Sequence, residues 1–296
     1  VSNLKSLKKR IHSIESTKKI TSAMKLVSSS YFKKAEKRLH AAVPYTTGLS
    51  RLVESVLSWK KVTEFTLIRG GKGSVHLLIV IGGTRGLCGG FNLNIGRRAN
   101  LEIQKLIKEG KTVKIVCIGA KAFSSLDLSL RPLVLKDLRP TDKETWITIS
   151  NLCEEINFWL QNEEIDTCSV IYASFASLLL SEVKSHTLVP YTGNIVNHNR
   201  SLSLNQAICK IPLLFEIEPS FGAVLRKSAL SNLKSQVYFS ILETQASEQS
   251  SRMIAMDGAT KNSEEILRKL HLSYNRNRQA AITRELVEII SGAESI

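Results

Sequence analysis

Apolar positions at the start of the chain recur at alternating intervals of three and four, at Leu4, Leu7, Ile11 and Ile14. That spacing is the seam of a helix that pairs with another helix. Carried forward strictly, it lands on Lys18 and Lys25. Apolar residues resume instead at Ile20, Met24, Val27 and Tyr31, reached through Thr17. Two successive steps of three make a stammer, which overwinds a helix pair locally, so the pattern predicts a helix whose pairing is not a uniform coiled coil. Pro44 and Gly48 interrupt it, and Leu49, Leu52, Val53, Val56 and Leu57 extend it by a further short helical piece. The other end mirrors the first. Residues 220–296 hold no proline and carry a stripe at Leu230, Leu233, Val237 and Ile241. A more polar stretch follows at 247–261, the stripe returns at Leu267, Leu270 and Tyr274, and it ends on Ile282, Leu286 and Ile289. At 1.5 Å per residue, residues 1–43 and 220–296 would make helices of roughly 65 and 110 Å, against about 11–12 residues for a typical helix. Pairing such termini makes a rod, with the rest of the chain between them.

The middle has a different period. The runs VHLLIVI at 75–81, TVKIVCI at 112–118 and TCSVIYASF at 167–175 are continuously apolar, the pattern of strands buried on both faces of a parallel sheet. Helical patterns lie between them at 91–109, 120–126 and 143–161. A weak strand is expected near 133–135, and residues 181–190 could pair with 169–177. Alternating strands and helices imply an α/β sheet of Rossmann-like topology. The expected organisation is an N-terminal coiled-coil helix at 1–59, a basic, glycine-containing linker at 60–74, an α/β domain at 75–209 and a C-terminal coiled-coil helix at 210–296. Residues 192–206 read as loop. Pro219 suits a first helical turn, whose positive end Glu216 and Glu218 complement.

Composition narrows the classes. No apolar run reaches the ~18 residues of a membrane-spanning helix, and the basic N-terminus lacks a signal-peptide core. The net charge is +15, with +9 of it in residues 1–43. A basic helix invites a nucleic-acid reading, but no aromatic stacking platform accompanies it, and a solvated face or an acidic protein partner explains it better. The five cysteines are scattered without a CxxC pair, which fits a reducing compartment. Neither cysteine nor histidine shows metal-ligand spacing, and no metal or cofactor is expected.

Chemistry-bearing motifs are few. GGTRGLCGGFN at 82–92 follows a strand and opens a helix, where glycines could let backbone approach a phosphate. It is not GxGxxG, no Walker lysine follows, and no acidic residue ends the next apolar run to hold a ribose. A tight turn with close helix–sheet packing accounts for it better. The adjacent carboxylates Glu154 and Glu155, Glu163 and Glu164, and Glu264 and Glu265 read as solvated faces, and no nucleophile–base–acid set appears. LSYNRNRQAAITRELVEIISGA at 272–293 interleaves Arg276, Arg278 and Arg284 with Asn275, Asn277, Gln279 and Thr283 on a helix with an apolar face. Such side chains suit contact with the loops of a surrounding protein as well as they suit an exposed face.

Four blocks carry a resemblance over essentially the whole chain: KKITSAMKLVSSSYFKKAE, RGLCGGFN, ASEQSSRMIAMDGATKNSEEI and LSYNRNRQAAITRELVEIISGA. In order and spacing they resemble the γ subunit of F-type ATP synthases, the last block most specifically. The resemblance implies that the terminal helices form an antiparallel coiled-coil shaft inside a hexameric ring of α and β subunits. It also implies that the α/β domain is a foot beside the ε subunit and on the membrane c ring, and that the chain performs no chemistry itself. By position, Arg278, Gln279 and Thr283 match residues that meet a β-subunit loop, Arg252 a second ring-facing arginine, and Met24 and Lys25 a contact near a β lever loop. Ile282, Leu286 and Ile289 would line an apolar bearing at the shaft tip, and Glu218 would approach the c ring. Thr84 stands where the family usually has an acidic residue, which puts any salt bridge of that acid in doubt. The regulatory cysteine insertion of chloroplast members is lacking. Val1 opens the chain without a transit segment, which favours the cytoplasmic face of a bacterial inner membrane over the mitochondrial matrix side. Two other readings stay open: a Rossmann-type nucleotide-binding enzyme and a basic helical nucleic-acid-binding adaptor.

Overall fold

The computed structural model describes residues 2–59, 65–141, 144–178, 181–193, 195–196, 218 and 220–294. In chain order the elements are α1 (Ser2–Trp59), α2 (Thr66–Arg69), β1 (Val75–Ile81), α3 (Phe91–Lys108), β2 (Thr112–Ile118) and α4 (Ala122–Ser125). A 3-10 turn over Leu128–Leu133 leads to β3 (Val134–Leu138), α5 (Thr145–Gln161), β4 (Thr167–Phe175), β5 (Ser181–Val189) and α6 (Phe221–Glu294). The chain packs as two units, Val1–Ser30 with Arg252–Ile296, and Tyr31–Ser251.

In the second unit the strands lie in the order β3-β2-β1-β4-β5. The first four run parallel and β5 pairs antiparallel to β4. The continuous apolar runs follow from this, because β1, β2 and β4 are covered on both faces. Alternate residues divide between two cores. Leu77, Ile79, Ile81, Val116, Ile118 and Tyr172 join α5, α6 and the later part of α1. Leu78, Val80, Ile115, Cys117 and Ile171 join α3 and α4. Between residues 231 and 250 helix α6 is buried on nearly every side. Small polar residues let it pass there: Ser235, Ser240, Thr244 and Ser247 are all buried. Several satisfy their hydroxyls on the preceding turn, as Ser240 does on the carbonyl of Gln236 at 2.8 Å.

Helix α1 does not break at Pro44 or Gly48, as the sequence pattern had implied; it runs unbroken from Ser2 to Trp59. An interior proline costs a helix about 3 kcal/mol. Tertiary contacts on either side offset this. Leu39, Thr46, Ser50 and Val53 are essentially fully buried, Thr46 shares a hydrogen bond with Ser235 at 2.8 Å, and Ser50 donates to Asn232 at 3.0 Å. The expected linker contains the one-turn helix α2, and residues 60–64 lie outside the described ones, as do most of 192–206 together with Glu216 and Pro219.

His76, near the start of β1, titrates against the fold. Its ring lies 2.6 Å from Thr167 Oγ1 and 2.7 Å from Ser169 Oγ. Burial, then the positive charge of Lys111, lowers its pKa to about 4, with Glu109 opposing. Burial also lowers that of His186. A neutral ring in the fold and one that protonates near 6.5 when unfolded means no penalty above pH 6.5 and a full penalty below pH 4. For His76 that penalty reaches about 3 kcal/mol. Urea unfolding between pH 7.5 and 4 should show stability falling with pH. His76→Gln should flatten the fall, and an unchanged slope in the variant would refute the assignment.

Candidate functional site

The first unit is an antiparallel helix pair. Lys18 Nζ lies 3.0 Å from Glu264, Thr21 shares a hydrogen bond with Thr260 at 2.9 Å, and Lys25 Nζ lies 2.6 Å from Asp257. The α6 number falls as the α1 number rises. Among the buried and half-buried positions on α1, Leu4, Leu7, Ile11, Ile14, Lys18, Thr21, Lys25 and Ser28 follow one another at intervals of three and four, with Glu15, Ser22, Met24 and Ser29 half-buried beside them. The three-four alternation therefore never breaks, and the stammer expected at Thr17 does not occur. The sequence pattern misled because the seam turns polar for two heptads while apolar residues continue on the outside. Ile20, Leu26 and Val27 are 59%, 70% and 54% exposed.

A polar seam holds when each group finds a partner across it. Asp257 is held between Lys25 and Lys261, and its hydrogen bonds with them, Lys25 first, lower its pKa to about 2. These pairs are solvent-screened, so each adds little to stability by itself. Their larger effect is on specificity, since a slip of one turn leaves every charge facing the wrong neighbour.

The residues expected to meet a partner divide into two groups. Arg278, Gln279 and Thr283 are exposed, with Thr283 Oγ1 donating to the carbonyl of Gln279 at 2.9 Å. Ile282, Leu286 and Ile289 are 49%, 54% and 68% exposed, and Val287 and Ile290 add to them. Glu218 is exposed as well. Arg252 is not; it is 5% exposed and already engaged within the chain, which corrects the expectation of an outward-facing arginine. Lys25 likewise spends its charge on Asp257 rather than facing outward alone, and Met24 is half-buried beside it.

In the second unit, the glycine-rich loop after β1 has its backbone donors occupied. The N–H groups of Thr84 and Arg85 donate to the carboxylate of Glu248 on α6 at 2.9 and 3.1 Å, with Thr84 Oγ1 3.4 Å from both oxygens. Nothing in GGTRGLCGGFN itself pointed to Glu248, which lies in the separate block ASEQSSRM, a carboxylate within a run of small residues of a buried helix. At the carboxyl ends of β1 and β2, where open α/β sheets take ligands, α6 supplies Ile241, Thr244 and Gln245 to the wall. The remaining cavity is about 140 Å³, below the roughly 300 Å³ at which ligand pockets begin. This weighs against the nucleotide-enzyme reading. Cys88, Cys117, Cys153 and Cys168 are buried, and burial pushes the Cys117 and Cys153 thiols up to about 12. Among the described residues no cluster of potential ligands could hold a metal ion, and no helix is long and apolar enough to cross a membrane.

Both the antiparallel helix pair and the α/β sheet belong to a chain with known relatives. A family model described as ATP synthase matches residues 3–296. The ATP synthase gamma chain of Sinorhizobium medicae is 36% identical over 300 residues, covering 99% of both chains. The chain belongs to the ATP synthase gamma chain family. The gamma chain of Pelagibacter ubique is 35% identical over the full length of both. Among solved structures, a chain of the Euglena gracilis mitochondrial ATP synthase covers 99% of this chain and 94% of its own length at a TM-score of 0.67, with 15% identity, and shares the fold. The chain thus has bacterial gamma chains as relatives, shares its fold with a chain of a mitochondrial synthase, and is a component of that enzyme complex.

Proposed function

We propose that this gamma chain is the central shaft of an F-type ATP synthase, carrying rotation of the membrane c ring to a catalytic hexamer of α and β subunits. The observation that carries this reading is the register-locked helix pair whose α6 tip bears Arg278, Gln279 and Thr283 beside exposed Ile282, Leu286 and Ile289. A group of long hydrogen-bonding side chains and an apolar surface on one helix end is suited to a surrounding protein sleeve. In this reading Arg278, Gln279 and Thr283, with Met24 and Lys25, meet the ring; the three apolar residues form the bearing; and Arg252, being buried, acts by positioning its neighbours. The α/β domain, together with Glu218, is the foot toward the ε subunit and the c ring, on the cytoplasmic face of a bacterial inner membrane. Association with the membrane is indirect.

The chain performs no chemistry. Three chemically identical sites can be driven through different nucleotide affinities only by contacts that differ between their open and closed states. A turning, asymmetric tip supplies such contacts in sequence. Mixing the purified chain with α and β subunits tests the reading. We expect a complex with one copy per hexamer and ATPase activity that rises on its addition. A chain that stays monomeric beside an α/β hexamer would overturn it.

A further inference from the structure

The glycine-rich loop is built like an anion seat and the chain fills that seat itself. In α/β proteins the loop after the first strand takes a phosphate on successive N–H groups. Here the N–H groups of Thr84 and Arg85 converge on Glu248, a residue 164 positions away on α6, which is 1% exposed. The rest of the loop is fitted to that purpose. Gly82 N–H donates to the carbonyl of Ile118 at 2.9 Å, and Lys121 N–H donates to the carbonyl of Gly83 at 2.9 Å. Gly83 N–H donates to Asn92 Oδ1 at 2.9 Å. A side chain at Gly83 would come within 2.7 Å of that oxygen and 3.1 Å of the Glu248 carboxyl carbon, so a larger residue would push the Asn92 amide aside and crowd the carboxylate. Beyond the clamp, Leu87 is held at φ +60 with its side chain 63% exposed, a conformation uncommon for a bulky residue that persists where its surroundings enforce it.

We propose that Glu248 is the positioning residue that keys the α/β sheet to helix α6, so that the foot and the helix turn as one body. The inference rests on the shaft reading above. Its physical basis is the difference between two kinds of contact. Apolar packing around Phe239, Ile241 and Leu242 resists separation of α6 from the sheet, and Thr244 and Ser247 add single neutral hydrogen bonds to the Ala173 backbone at 3.3 Å, weaker than bonds to an ionised group. Charge-assisted hydrogen bonds from two consecutive backbone donors are directional and fix the azimuth of α6 against the end of β1. Glu248 is buried while Thr84 and Arg85 are exposed, so the cost of breaking these bonds falls on the carboxylate, which would lose its donors inside the fold.

The test is made in the reconstituted synthase with Glu248→Ala and Glu248→Gln. Glutamine keeps the size and one acceptor oxygen; alanine keeps neither. Protons pumped per ATP hydrolysed should fall at least fivefold in E248A and by an intermediate factor in E248Q. Hydrogen exchange of the peptide spanning residues 82–90 should rise about tenfold in E248A while β1 keeps its protection. If E248A fails to assemble, E248Q gives the same two readouts. Exchange that rises with no loss of pumping would show the clamp to be without mechanical consequence and would overturn the proposal, as would unaltered exchange. Failure of the unsubstituted chain to join α and β subunits would instead refute the shaft reading beneath it.

Discussion

Replacing Phe239 with alanine is expected to cost the fold about 3–5 kcal/mol, the range for deleting a large buried aromatic. Phe239 is 1% exposed and sits in the part of α6 that is covered on nearly every side. Its core is shared by Leu39 of α1, Ile149 and Leu152 of α5, and Leu77, Ile79 and Tyr172 of the sheet. Walls drawn from two other helices and a sheet cannot all close on the gap at once, so most of the cavity should persist. At about 2–4 °C per kcal/mol for a protein of this size, the thermal midpoint of the purified chain should fall by about 6–20 °C. Leu26→Ala is the control, because that leucine is 70% exposed and surface changes usually stay within about 0.5 kcal/mol. Similar losses in the two variants would mean that α6 is not enclosed.

The contrast between Phe239 and Leu26 also marks where the sequence could be read and where it could not. The strands were legible because β1, β2 and β4 are buried on both faces, and a parallel sheet imprints that as unbroken apolar runs. The stripe Leu230, Leu233, Val237 and Ile241 was legible for the same reason, with Leu233, Val237 and Ile241 buried. The seam beyond Ile14 was not. Periodicity scores one helix at a time, and Lys18, Thr21, Lys25 and Ser28 look like surface until Glu264, Thr260 and Asp257 arrive from the far end of the chain. Leu26 and Val27 look like core, yet they are 70% and 54% exposed. Pro44 misled similarly, because the contacts that carry α1 through it come from Asn232 and Ser235. The Gly-rich loop makes a tight turn, and its Thr84 and Arg85 N–H groups go to Glu248, which stands in the separate block ASEQSSRM and which no periodicity links to the loop. At the tip the resemblance named residues that the structure leaves exposed, Arg278, Gln279 and Thr283, and one that it buries, Arg252.

These misreadings share a physical origin with the proposed function. A shaft that must keep one register under load gains little from an all-apolar seam, since apolar contacts permit sliding by a turn. Pairs such as Lys25 with Asp257 give up some stability for register. Apolar groups left on the outside, Ile20 and Val27 among them, are surface that a surrounding sleeve would cover.

Gly119→Val is expected to have an effect of the same order as the loss of Phe239, by the opposite route. Gly119 ends β2 with φ +101, and its N–H donates to the carbonyl of Leu138 at 2.8 Å. A β-carbon there would stand 2.4 Å from the carbonyl oxygen of Gly82 and 3.3 Å from that of Gly83. Backbone strain at such a φ costs about 1–3 kcal/mol, and overpacking about 1–3 more, so the total should be about 2–6 kcal/mol. The two contributions separate by comparison with Gly110→Val. Gly110 has φ +78 but open space around its would-be side chain, so only the backbone cost applies. The steric part should also be visible at a distance. Gly82 and Gly83 open the loop that presents the Thr84 and Arg85 N–H groups to Glu248, and pushing their carbonyls aside should raise hydrogen exchange in residues 82–90 of G119V but not of G110V. Equal destabilisation in the two variants, with no change in that peptide, would mean that Gly119 serves its backbone angle alone and that the close approach to Gly82 has no part in seating the clamp.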